Sequence, residues 1–201
     1  MDSDLLFYGE KRATSLLVLL HGWGADAEDL MDLGINLIKD KKSISIVSLK
    51  APYLHPSGEG RQWYGLFPAD WSAVPSEVNA LSSRLKQISR DLDVFLEKTI
   101  LLGFSQGAAM ALNVGFDLPL AGLISCSGYP HPSWIPSKEQ KISVLLTHGI
   151  NDSIVPFQAS EKALTLISET RSNVKLVSFE GGHNIPIEIF SEIRNFIIKN
   201  I

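Results

Sequence analysis

The sequence is short of several things. It has a single cysteine, Cys126, so no disulfide can close within the chain, and no Cys or Cys/His spacing of the zinc-binding kind occurs. No metal is expected, and the composition suits a reducing compartment. Positive charge is not in excess: 18 Lys and Arg stand against 22 Asp and Glu, for a formal net charge of −4. A nucleic-acid binder needs a clustered basic surface. The nearest approach, KDKK at residues 39–42, contains Asp40 and reads as a solvated helix end. Nucleic acid is therefore not an expected partner. No apolar run nears the ~20 residues that cross a bilayer. The N-terminus, MDSD, is acidic where a secretory signal is basic. Stable membrane insertion is not expected, and the expected location is cytoplasmic. Repeats and low-complexity tracts are missing as well, so residues 1–201 are expected to form a single domain.

What is present is alternation. Six apolar runs recur: SLLVLL (15–20), SISIVSL (43–49), TILLGF (99–104), LAGLISC (120–126), ISVLLTH (142–148) and VKLVSF (174–179). Near-continuous apolar runs of this length are expected of strands covered on both faces. LLFYG (5–9) adds a short edge strand. Helical patterns lie between the runs. In residues 76–98, Val78, Leu81, Leu85, Ile88, Leu92 and Phe95 fall in steps of three and four on one face, with Ser76 as the N-cap. Residues 26–40 repeat the spacing with Leu30, Leu33 and Leu37, capped by Asp26. Helices over 156–170 and 186–200 each begin with Pro, which the first helical turn tolerates. This order predicts an α/β fold with a mostly parallel sheet of about six to seven strands and helices on both faces. One long irregular segment, 50–75, is rich in Pro, Gly and aromatics, a composition typical of functional loops.

The third run passes into GFSQG (103–107), a G-x-S-x-G sequence between a strand and a helix. That context puts Ser105 on a sharp turn with its hydroxyl above the sheet edge. A serine hydroxyl is a weak nucleophile unless a base takes its proton and a third group orients the base. Asp152 lies four residues past the fifth run and His183 four past the sixth. Loops that follow parallel strands share one rim, so Ser105, Asp152 and His183 are expected to meet there. Asp117, the competing acid, follows a helix and reads as a surface cap. The first run ends in HGWG (21–24), a turn fit to supply one donor of an oxyanion hole. The expected donors are the backbone N–H groups of Trp23 and Gln106. Trp63 and Tyr64 in the long loop are read as walls of a substrate pocket, with packing beneath the loop as the alternative. His21 and His148 read as loop-fixing residues, and His55 and His131 as ordinary loop histidines.

LLHGWGAD, GFSQGAA, HGINDSIVP and GGHNIP, in this order in so short a chain, resemble the small carboxylesterase/acyl-protein thioesterase family of the α/β-hydrolases, also called the phospholipase/carboxylesterase family. The similarity runs from about residue 15 onward. It implies a three-layer α/β-hydrolase fold without a cap domain. It implies Ser105, Asp152 and His183 as catalytic triad and Trp23 and Gln106 as oxyanion donors. It also implies hydrolysis of esters or thioesters without a cofactor, on a small ester or acylated substrate, and allows a homodimer. Two motifs depart from the family pattern. The family's thioesterases have His-Gly-Leu-Gly-Asp in the first loop, where this chain has Trp23 and inserts Ala25 before Asp26. The aromatic pair Trp63-Tyr64 is followed by Gly65 where the family often has Asp. Both differences bear on acyl-chain specificity. Short-chain esters, lysophospholipids, acylated proteins and thioesters all stay open as substrates. A protein of this fold that only binds a ligand is the competing class.

Overall fold

The structure is a computed structural model that describes residues 4–39, 41–139 and 141–201; Asp40, the expected end of the first helix, lies outside them. In chain order, the strands begin with β1 (Leu5–Tyr8), β2 (Ser15–Leu20) and β3 (Ile44–Leu49). A two-stranded hairpin follows, β4 (Tyr53–Leu54) and β5 (Arg61–Gln62). Then come β6 (Thr99–Phe104), β7 (Gly122–Cys126), β8 (Ser143–Gly149) and β9 (Asn173–Phe179). Seven of these form one sheet in the order β1-β3-β2-β6-β7-β8-β9. All its pairings are parallel except that of the edge strand β1 on β3. Each of the six apolar runs, and the N-terminal edge run, is a strand.

The helices are α1 (Met31–Ile38), α2 (Val74–Leu92), α3 (Gln106–Gly115), α4 (Gln158–Ser168) and α5 (Phe190–Asn200). Alternation along β2 divides the core. Leu16, Val18 and Leu20 face the layer of α2, α3 and α4, with Val78, Leu81, Met110 and Ile167. Leu17 and Leu19 face the layer of α1 and α5, with Leu37, Ile193 and Ile197. The period of two in a strand thus produces the three layers.

Several expected boundaries move. α2 starts at Val74, so Ser76 lies inside it and its hydroxyl bonds Ala73 O at 2.7 Å instead of capping. The helix stops at Leu92 because Asp93 turns left-handed, φ 53°, and Phe95 is left 76% exposed rather than on the buried face. Asp26 does cap, but what it caps is a 3-10 turn, Ala27–Leu30, that leads into α1. Pro156 lies two residues before α4, and Pro186 precedes a 3-10 turn, Ile187–Ile189, so neither is in the first turn of an α-helix.

Successive strands add toward one edge through β2 and β3, then toward the other from β6 to β9. The reversal lies between β2 and β6, where loops diverge and leave a crevice at the carboxyl ends. α3 lies hard against this point. A Cβ on Gly107 would sit 2.2 Å from Leu20 O and 2.5 Å from His21 O, and one on Gly103 would sit 2.4 Å from Gly107 O. Only two glycines let helix and strands approach this closely.

The long segment 50–75 is folded down onto the core. Trp63 and Tyr64 are buried, 2% and 1% exposed. Beneath them His131 is also buried, 3% exposed, so it is no ordinary loop histidine. Asn113 Nδ2–H donates to His131 Nδ1 at 2.8 Å. The ring therefore carries its proton on Nε2 and donates to Tyr64 OH at 2.9 Å. Tyr64 in turn meets Tyr129 OH at 2.6 Å. Burial pushes the His131 pKa down to about 4.

Two predictions follow from these contacts. Gly107→Ala, which improves an open helix by about 1 kcal/mol, should here destabilise by about 3 kcal/mol or more, read as a lower urea midpoint. For His131, the unfolded chain takes up a proton near pH 6.5 that the folded chain refuses until about pH 4. Stability should therefore fall as pH drops through that window, by on the order of 3 kcal/mol. His131→Gln should be less stable than wild type at pH 7 and should flatten this part of the dependence. Parallel curves for the two proteins would contradict it.

Candidate active site

The three residues expected to meet do so. Ser105 follows β6 directly, with φ 54° and ψ −117°, a backbone conformation a serine adopts only under constraint. Its N–H donates to Cys126 O at 2.9 Å, and its carbonyl accepts from Ala109 N–H at 3.0 Å. Asp152 follows β8 and His183 follows β9, on the same rim. His183 Nδ1 lies 2.7 Å from Asp152 Oδ2, and His183 Nε2 lies 2.9 Å from Ser105 Oγ.

The protons in this chain can be assigned. Burial acts to raise the Asp152 pKa, but the hydrogen bond from His183 and those from the Val155 and Ile154 N–H groups outweigh it, and the carboxyl sits below its ordinary range. The two backbone N–H groups reach Oδ1, each at 2.9 Å. An ionised carboxylate only accepts, so His183 Nδ1 carries the ring hydrogen and Nε2 accepts from the Ser105 hydroxyl. Such a relay can take up the serine proton as the oxygen attacks an electrophile.

A second histidine lies behind the first. His148 is fully buried; its Nε2–H donates to Val155 O at 2.9 Å, and its Nδ1 accepts from Ser160 Oγ at 2.6 Å. Nε2 also lies 3.3 Å from Asp152 Oδ2. Burial holds its pKa down, so the ring stays neutral and fixes the turn that carries Asp152. His21 does the same for the first loop. Its Nδ1–H donates to Gly22 O at 2.7 Å, and Nε2 accepts from Ala51 N–H at 3.1 Å.

The Gln106 side chain has a part that its place in GFSQG does not reveal. Its Oε1 accepts from Trp63 N–H at 3.0 Å, its Nε2 donates to Tyr64 O at 2.8 Å, and the indole of Trp63 donates to His21 O at 2.9 Å. The elbow, the first loop and the long loop are thereby bonded together. Trp23 is half-buried at the crevice mouth, and its Nε1–H donates to Gln62 Oε1 at 3.0 Å. It packs edge-on against His55 and Phe67, with ring centroids at 4.0 Å and 5.1 Å. The Trp23 N–H donates to no acceptor among the described residues. Gln106 opens α3, so its N–H has no intrahelical acceptor. Phe104, the residue before the serine, is half-buried with its ring 4.9 Å from that of His183. Nothing but its position inside GFSQG marked it in the sequence.

Known proteins resemble this chain over nearly its whole length. Acyl-protein thioesterase 1 of Debaryomyces hansenii is 26% identical over 212 residues, covering 93% of this chain and 91% of that one. The crystal structure of esterase PE8 superposes with a TM-score of 0.87 at 28% identity, over 98% of this chain and 99% of the other. The Bacillus cereus carboxylesterase shares the fold, with a TM-score of 0.85 at 20% identity over 98% and 94%. The family model described as Phospholipase/Carboxylesterase matches residues 5–201, and the chain belongs to that family.

Proposed function

We propose that this protein is a serine hydrolase that cleaves carboxylic esters or thioesters through an acyl-enzyme on Ser105. The observation that carries the reading is the hydrogen-bonded chain from Ser105 Oγ through His183 to ionised Asp152. Ser105 Oγ bonds to the carbonyl carbon while its proton passes to His183 Nε2. Negative charge gathers on the carbonyl oxygen, where the N–H groups of Trp23 and Gln106 stabilise it. The tetrahedral species collapses, the bond to the leaving oxygen or sulfur breaks, and Nε2 returns the proton to that atom. Water then attacks the acyl-enzyme by the same steps and releases the acid. Asp152 holds the imidazole in the tautomer that accepts from the serine.

The substrate reading is a broad, short- to medium-chain carboxylesterase. Trp63 and Tyr64, proposed as pocket walls, are buried beneath the long loop at 2% and 1% exposure, which favours packing over direct contact with substrate, and the aromatic surface that a substrate could reach is that of Trp23 and Phe67, the latter 76% exposed. A second reading, acyl-protein thioesterase or lysophospholipase, draws support from curated relatives named acyl-protein thioesterase that match over nine-tenths of the chain.

p-Nitrophenyl esters from C2 to C16, together with a fluorophosphonate label, test the proposal. Wild type should label at Ser105 and turn over. Ser105→Ala should lose the label and at least roughly 10³-fold in rate. Near-normal turnover by that variant would sink the mechanism. A preference for C2–C6 supports the carboxylesterase reading, and one for C8 and longer supports the second. Trp23→Pro removes one proposed donor and should lower kcat by about 10²–10³-fold; an unchanged kcat removes Trp23 from the oxyanion hole.

A further inference from the structure

A groove of about 470 Å³ runs along the flank of His183. Its apolar walls come from Leu33 on α1, Phe104 at the elbow, and Ile185 and Phe190 beyond β9. Its charged rim is acidic: Asp29 and Asp32 line it, and no Lys or Arg does. The Asp29 carboxylate is held in place by the Asp26 N–H. Asp32 is exposed, and neither carboxylate forms an ion pair with a cation among the described residues.

The stereochemistry of acyl transfer says which part of a substrate can lie here. A carbonyl carbon bonded to Ser105 has three other substituents. Its oxygen points to the proposed donors at Trp23 and Gln106. The leaving atom must lie within about 2.6–3.2 Å of His183 Nε2 to receive its proton. The leaving group therefore departs along the flank of His183. We propose that this groove is the leaving-group subsite, and that it selects alcohols or thiols carrying positive charge over those carrying negative charge. The inference rests on the hydrolase reading above. The apolar walls hold the body of the leaving group, and the two carboxylates set the sign of the charge that is accepted.

The test uses butyrate esters of choline, 3,3-dimethylbutanol and 3-hydroxypropanesulfonate. These are cationic, neutral and anionic leaving groups on one acyl chain. Each kcat/KM is divided by the hydroxide-catalysed rate of the same ester. Exposed charge pairs are worth about 0.2–1 kcal/mol, or roughly 1.4- to fivefold each. The cationic-to-anionic ratio should be about tenfold at low salt and should shrink at 0.3 M salt. Asp32→Lys should cut the ratio at least fivefold, and Asp32→Asn should cut it by about half that factor. Glu97→Lys makes the same charge change at the opposite end of β6 and should leave the ratio where it was. A flat ratio in an enzyme that turns over all three esters overturns the inference and leaves the hydrolase reading standing. No turnover of any ester, with no label at Ser105, overturns both.

Discussion

The backbone at Ser105 is the constraint on which the rest of the site depends. Its φ of 54° and ψ of −117° lie outside the regions an L-residue prefers, at a cost of about 1–3 kcal/mol. The surroundings return a similar amount. Two backbone hydrogen bonds, to Cys126 O and from Ala109 N–H, contribute on the order of 1 kcal/mol each. The close approach of α3 to the ends of β2 and β6 then leaves the turn no room to relax, because Gly103 and Gly107 are already in contact with neighbouring backbone. The gain is directional. A strand followed by a helix through an ordinary turn would aim the side chain elsewhere, whereas this one sets the hydroxyl 2.9 Å from His183.

The remaining site atoms sit on loops, and loops hold position only if their polar groups are satisfied. Here the satisfying groups are side chains from other loops. Gln106 bonds both Trp63 and Tyr64, the Trp63 indole bonds His21 O, and His21 bonds Ala51 N–H. Gly24 N–H and Arg61 N–H exchange bonds with Arg61 O and Ala25 O, which ties the first loop to the hairpin. Each such bond adds only about 1 kcal/mol when made, but costs about 1–3 kcal/mol if a buried partner is left alone. A network of this kind therefore penalises partial opening more than it rewards closure. Neutral histidines suit it, since a ring with one donor and one acceptor can join two segments without carrying a charge into the interior.

Local chemistry in the chain made most of the architecture legible. The six apolar runs are strands because being covered on two faces demands continuous apolar sequence, and that demand is written in consecutive residues. Ser105, Asp152 and His183 were legible for a related reason: each follows a strand within four residues, so a parallel sheet alone brings them to one rim. What was not legible depends on partners distant in sequence. Nothing near His131 announces Asn113 or Tyr64, 18 and 67 residues away. The apolar spacing of residues 76–98 continues to Phe95, but the left-handed turn at Asp93 ends the helix before that residue can join the face. Pro156 and Pro186 suit a position just before a helical segment as well as one just inside, so composition alone could not fix those boundaries.

The two flanks of Ser105 differ in kind, and the difference bears on ester against thioester. On one side Trp23, His55 and Phe67 stack on each other and offer aromatic surface. On the other lies the groove beside His183, apolar below and acidic at its rim. In the proposed mechanism an alkoxide must receive a proton before it departs, so ester cleavage depends on how well the groove holds the leaving oxygen at Nε2. A thiol has a pKa of about 8.5, so its sulfur can leave largely as the anion, and thioester cleavage leans less on that placement. An acidic rim repels a departing thiolate and favours a cationic alcohol or amine-bearing thiol. On the proposed reading the groove weighs on leaving-group charge and the aromatic side on the acyl chain, so specificity for the two halves of a substrate would rest on separate residues and could change independently.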